Sequence, residues 1–450
     1  MSNQETTKKT ATATEAKSAL SRRDFLKVGS TAVGAAASAA AVPKMFFPAY
    51  IRQSAMELNL LTWFWTEPGR GDAWRAMIEK FHTEQNDVRI IESGYGENDY
   101  FQQILIQARS GRIDGDLFTQ TPDGFLRLMR AGHTLPLEDV VERAGVTVVP
   151  AQDMLRDENG ELNGLDIVTV RFGLVYNNRL LEEAGVSEPT SIEDWVAGAT
   201  ALTSRPDQFG IYSPHLASEP FTTWFTLQQW PVLFDGKWAD GQTPLINSEE
   251  VINGITLFKQ MYDAAMPQGT DVGTANQLFA SSKIAENMIV SAAVNQWKTN
   301  TEDPDLYANL RSAMPFWPGG KGITRIHPIC INANNEPERQ EAAKVFLSWL
   351  YTQENYQELL ERCLDVIPAI EGGIRPEYRE TLHWADGYDA TGTITVPEVL
   401  GDFVFYNDEL GQVVVPHIEE ILVGGVSVED GLNQAQIEAE ELGARVFAAE

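Results

Sequence analysis

The stretch Leu165–Asn178, LDIVTVRFGLVYNN, constrains this chain more than any other. Ile167, Val168 and Val170 are β-branched and set out an extended segment. The run then passes straight into a helix-like piece, Arg179–Ala184, that stops at Gly185. It reads as a long buried strand that leaves one sheet and feeds a new strand–helix unit, as a hinge between two lobes would. The residues before it form one half of a clamp, and most of the residues after it form the other.

The segment before this strand alternates between two periodicities. Leu58–Trp65, LNLLTWFW, is an apolar, aromatic run suited to a central strand, broken by Glu67-Pro68-Gly69-Arg70-Gly71. Asp72 can cap a helix in which Trp74, Met77, Ile78 and Phe81 share one face. Val88–Glu92 is a second strand. Asn98 or Asp99 then starts a helix carrying Phe101, Ile104, Leu105 and Ala108 on one side. Asp116–Thr119 is a third strand, followed by a helix from Asp123 to Ala131 and a stop at Gly132. Alternating units of this size predict a parallel sheet covered on both faces.

Beyond the hinge strand the same grammar continues. Thr190 or Ser191 caps a helix, Phe209–Tyr212 and Glu286–Val290 read as strands, and Val251–Tyr262 and Asn276–Ala280 read as helices. Phe221–Trp238 is crowded with aromatics, Met314–Gly322 is a loop, and Ile329–Asn332 is a strand. Ala342, Val345, Phe346 and Trp349 mark a strongly periodic helix.

A chain of 450 residues, 43% hydrophobic, allows two or three domains with real cores. Its 64 acidic against 34 basic side chains give a net charge of −30, which repels phosphate backbones and argues against nucleic-acid binding. Two cysteines, Cys330 and Cys363, make neither a disulfide framework nor a metal cluster; they are either one pair or two separate buried thiols. No cofactor is implied.

Ser21-Arg22-Arg23-Asp24-Phe25-Leu26-Lys27 resembles the twin-arginine export signal in full. The Ala-, Gly- and Ser-rich run Val28–Val42 is too short and too weakly apolar for a spanning helix, and Ala39-Ala40-Ala41 offers a cleavage site. An exported, extracytoplasmic protein is expected, tethered to the membrane if the leader stays uncleaved.

Three segments in order, LNLLTWFW, LVYNNRLLEEAGV with PTSIEDW, and NEPERQEAAKVFLSWLYTQENYQELLE, resemble the family 1 extracellular solute-binding proteins, the sugar-binding receptors of ABC importers, from about Leu58 onward. The resemblance implies a two-lobed periplasmic-binding-protein fold, type II-like, each lobe a mainly parallel α/β sheet, joined by crossing hinge strands. It places the leader and linker at 1–57, one lobe at 58–167 plus 311–365, and the other at 169–310 plus 366–450. It also implies a monomer, a carbohydrate ligand and a membrane permease as partner. The same fold taking a polyol, a glycerol phosphate or a polyamine, and an exported carbohydrate-active enzyme, are the rival expectations; Arg70, Arg171 and Arg325 keep a phosphate in play.

A sugar receptor needs flat aromatics for ring faces and polar side chains for hydroxyls. Trp63 and Trp65 end the first strand, with Glu67 beyond them. Asp123 follows the third and matches the family's polar position there, with helix capping as its plainer role. Glu219, Phe221 and Trp224 resemble the aromatic segment by which the family's second lobe contacts sugar. Asn295 and Trp297 lie near the family's Gly-x-Trp, from which Ser291–Val294 departs; Trp317 and Arg325 precede the returning strand. His327 reads as a surface or hinge residue. G-x-S-x-G, H-E-x-x-H, S-x-x-K and P-loop patterns are all missing, so no enzyme is expected.

Overall fold

The computed structural model describes residues 55–317, 320–388, 394–396 and 401–448. The twin-arginine motif, the apolar run and the cleavage site lie outside the described residues, as does part of the 314–322 loop.

Strand β1 (Met56–Leu61) is flanked in parallel by β2 (Val88–Ser93) and β3 (Leu117–Thr119), because a helix carries the chain back across the sheet after each strand. The hinge strand β4 (Leu165–Asn177) is present at nearly its expected length and is buried along almost all of it. It is followed by β5 (Phe209–Tyr212), a two-residue ribbon of β6 (Ala239–Asp240) and β7 (Thr243–Pro244), and β8 (Ile284–Val290). Then come β9 (Leu310–Ser312), β10 (Lys321–Ile331) and β11 (Ile394–Val396). One sheet runs in the order β2-β1-β3-β10-β4-β8-β5, with β11 beside β10 and β9 beside β4. β5 and β8 are parallel, whereas β10 lies antiparallel to both β3 and β4.

The two long strands cross between separate cores. Leu165–Val170 of β4 and Ile326–Ile331 of β10 pack with β1–β3 and the helices Arg70–Glu84, Pro337–Leu350 and Gln353–Cys363. Leu174 and Tyr176 of β4 pack instead with Trp195, Trp230, Phe258 and the C-terminal helices Asn407–Val423 and Val428–Phe447. A third cluster holds Val175, Trp297 and Trp384, and Phe172, Val232 and Ile323 form a small one at the crossing.

The pairing of β4 with β10 slips between Ile326 and Pro328. The slip would leave backbone N–H groups unpaired in a dry interior, and Asp166 answers this. Its carboxylate accepts from the N–H of His327 at 2.8 Å and of Val168 at 3.2 Å, and from the hydroxyl of Thr169. The crossing is thus an irregular joint sealed by one side chain.

Several local expectations shift: the second helix runs Glu97–Arg109 behind Gly96 and is not capped by Asn98 or Asp99, and the returning strand begins at Lys321 well ahead of Ile329. β1 ends at Leu61, and Phe64–Thr66 turns as a short 3₁₀ segment, with the hydroxyl of Thr62 accepting from Phe64 N–H. The following helix starts at Arg70 behind Gly69, whose φ of 79° suits glycine, so Asp72 sits in the first turn and is not the cap. Cys330 and Cys363 are separate buried thiols, both pushed up by burial. Among the described residues no helix is long and apolar enough to cross a membrane.

Candidate functional site

A cavity of about 140 Å³ lies where the first core meets the third. Trp63, Glu67, Arg70, Arg325 and His327 line one side of it; Thr222, Phe225, Asn276 and Gln296 line another. The 3₁₀ turn after β1 aims Trp63 into this space. Its ring packs on Phe64, Phe101 and His327, and its indole N–H donates to Glu67 at 2.7 Å. Arg70 holds Glu67 at 3.1 Å and grips both oxygens of Asp365 at 2.9 and 2.8 Å. Two carboxylates, Asp365 buried and Glu67 partly so, share one guanidinium, and burial pushes both up in spite of Arg70. The chain Trp63–Glu67–Arg70–Asp365 fixes an aromatic face and an acceptor at the cavity wall.

Arg325 projects from β10 beneath two rings, its guanidinium carbon 4.3 Å from the centre of Phe225 and 5.3 Å from that of Phe221. Phe221 also stacks on Phe101 of the first core at 5.0 Å. On the far side of this stack a second cavity, about 110 Å³, is lined by Phe101, Gln102, Phe221, Trp224, Asp408 and Gln412.

Asp123 does not cap its helix. Thr121 does, accepting from Gly124 N–H, and Asp123 lies in the first turn, 1% exposed, with neither oxygen accepting a hydrogen bond. Arg127, one turn on, is held by both oxygens of Glu409 at 3.0 and 2.6 Å. Asp408 is pushed up to about 8, first by burial and next by the negative charge of Asp123.

Of the residues singled out in the sequence, Trp63, Glu67 and Arg325 meet at the larger cavity, and Phe221 and Trp224 at the smaller. Trp224 is otherwise committed: its N–H donates to Asn407 at 2.8 Å and its ring meets Trp238 edge-on. Glu219 accepts from Val272 N–H at 3.1 Å. Asn295 donates to the Cys363 carbonyl at 2.8 Å. Trp297 stacks on Phe279 at 4.0 Å inside the third core, and Trp317 is buried in the second. These last four line neither cavity.

His327 is no surface residue: it is buried at the crossing, its Nδ1 meets the Val168 carbonyl at 3.2 Å, and burial followed by Arg325 holds it neutral. Sequence reasoning misses Asp365, Asp408 and Gln296, and it reads Phe101 only as part of an apolar helix face. Asp408 stands near the start of a helix in FYNDELGQ, where an acid near an N-terminus is ordinary, so nothing local distinguishes it.

Two α/β bodies threaded by shared strands, with a polar and aromatic cavity at their junction, define a clamp-like binding protein. The pattern of the bacterial extracellular solute-binding proteins matches residues 76–374, about two thirds of the chain, and the chain belongs to this family. No curated protein matches it in sequence. Among solved structures it is similar to T. maritima MalE3 with maltose bound, at 16% identity over 86% of this chain and 100% of that one, with a TM-score of 0.74. A solute-binding protein of an ABC transporter from Agrobacterium vitis, with bound D-mannitol, shares 17% identity over 87% and 99% of the two chains, with a TM-score of 0.73. UgpB from Mycobacterium tuberculosis in complex with glycerophosphocholine shares 16% over 88% and 100%, with a TM-score of 0.72.

Proposed function

We propose that this protein is a receptor that captures a carbohydrate between its two lobes and delivers it to the permease of an ABC importer. The observation that carries the reading is the cavity at the β4–β10 crossing, where Trp63 offers a ring face beside Glu67, Arg325, Asn276 and Gln296. Aromatic faces with fixed acceptors and donors match the amphipathic surface of a sugar ring. The maltose and mannitol carried by similar folds agree with it. The ligand-contacting set proposed is Trp63, Glu67, Asp123, Phe221, Trp224 and Arg325, with Glu219, Asn295, Trp297 and Trp317 supporting the walls behind them.

The lobes of this reading follow the sequence division at 58–167 plus 311–365 and 169–310 plus 366–450, with the exact turnover point set by the crossing strands. Ligand stabilises the closed form by its differential affinity. The protein works as an exported monomer, sent across the membrane by the twin-arginine leader at Ser21–Lys27, and it binds without turnover.

Titration with sugars, polyols, glycerol phosphates and polyamines, followed by tryptophan fluorescence and heat, tests this. Saturable one-to-one binding of a carbohydrate with no product is the expected result. Binding of a phosphate or a polyamine alone would replace the ligand class, and hydrolysis of an oligosaccharide would replace the receptor by an enzyme.

A further inference from the structure

Asp408 lines the smaller cavity beside Phe221 and Trp224, and Asp123 is close enough to raise it electrostatically. Asp123 is almost completely buried, accepts no hydrogen bond through either oxygen, and has no capping task, since Thr121 performs it. A buried carboxylate with empty lone pairs calls for a donor or a counter-charge. The charged groups facing the pair are Arg127 on the helix of Asp123, Glu409 next to Asp408, and Arg325 on β10. Arg127 is engaged by both oxygens of Glu409. Outside the Arg127–Glu409 pair, the cation among these groups is Arg325, whose guanidinium lies under Phe221 and Phe225. With Asp123, Asp408 and Glu409 all ionised, these five groups would carry one negative charge more than the two arginines balance.

We propose that the cleft is built for a hydroxylated solute bearing one basic nitrogen, an amino sugar or amino-polyol, whose amino-bearing end enters the smaller cavity, its ammonium at Asp408 near Asp123 and against Phe101, Phe221 and Trp224. The proposal rests on the carbohydrate reading and narrows it. An ammonium brings the missing positive charge and three N–H donors, where a neutral hydroxyl brings one donor. With the cleft empty a proton takes that place on Asp408, which burial and Asp123 hold up to about 8 against the pull of Arg325 and Arg127. A phosphate would meet two acids and is disfavoured.

The test is calorimetric titration of the full chain at neutral pH with glucosamine and its short oligomers, the N-acetylated counterparts, the neutral glucose series and a glucose phosphate. The amine series is expected to bind at least about tenfold more tightly than the others. Asp408→Asn and Asp123→Asn are each expected to remove that preference while the thermal midpoint stays within a few degrees. Comparing an amine with its N-acetyl derivative on the unaltered protein decides the matter even if either variant folds poorly. Neutral sugars binding as tightly as amines, or a preference that survives both substitutions, would overturn the proposal and leave the carbohydrate receptor standing. Absence of binding by every series would overturn both.

Discussion

A single carboxylate seals the crossing of β4 and β10. Asp166 is fully buried, its Oδ1 takes up the two N–H groups freed by the slip between β4 and β10, and its own carbonyl accepts from the Tyr351 hydroxyl at 2.7 Å. Asp166→Ala strands both N–H groups and is expected to cost about 2–4 kcal/mol, read from denaturant unfolding. Burial pushes Asp166 up to about 7 even though three donors favour the anion. The native protein therefore keeps a proton that the unfolded chain has released above its ordinary value near 4. Stability conferred by this site falls as pH rises from about 4 to about 7 and levels off beyond. The difference in stability between the wild type and Asp166→Asn, measured across that window, should slope accordingly; a flat difference would disprove the assignment. Glu286, on β8, obeys the same logic: it is pushed up to about 8 by burial while accepting from the Trp195 indole at 2.9 Å. Glu286→Gln keeps that acceptor and removes the charge, so it should stabilise the fold at alkaline pH by on the order of 1–3 kcal/mol.

At the scale of elements, the helix Pro122–Arg130 binds the two cores at the cleft mouth. Beyond the Arg127–Glu409 pair, Arg130 lies 3.7 Å above the ring of Phe405 and Arg127 5.5 Å from that of Tyr406. These contacts tie the helix to the segment Phe405–Glu409. Arg127→Ala is expected to weaken ligand affinity about tenfold, almost entirely through faster release, in titration combined with stopped-flow dissociation. Elements of this kind were legible where burial is a local pattern: the 3.6-residue spacing of Trp74, Met77, Ile78 and Phe81 gave their helix, and the apolar run of β4 gave the joint. The cleft was less legible because its logic is tertiary. Arg70 and Asp365 are 295 positions apart, and no spacing announces their ion pair. Eleven tryptophans look alike in a sequence; only packing shows that Trp63 reaches the cavity while Trp297 lies flat on Phe279.

For the whole molecule, strands shared between cores mean that neither half can lose its structure alone. Urea unfolding is expected to be one transition seen identically by far-ultraviolet dichroism and tryptophan emission, and ligand at a hundred times its Kd should add about 2.7 kcal/mol to it. Two separated transitions would show that the cores are independent. The sheet order has a further consequence, for the time during which the chain is made. β3 and β4 are neighbours only through β10, which lies between them in space but is synthesised long after both. While translation runs from Asn177 to Lys321, the edges of β3 and β4 wait without their common partner, and the first lobe stays open until the second has been largely polymerised. The growing chain therefore presents sticky strand edges to the cell throughout the synthesis of residues 177–321, and a nascent-chain chaperone has its longest task here on the half that was made first.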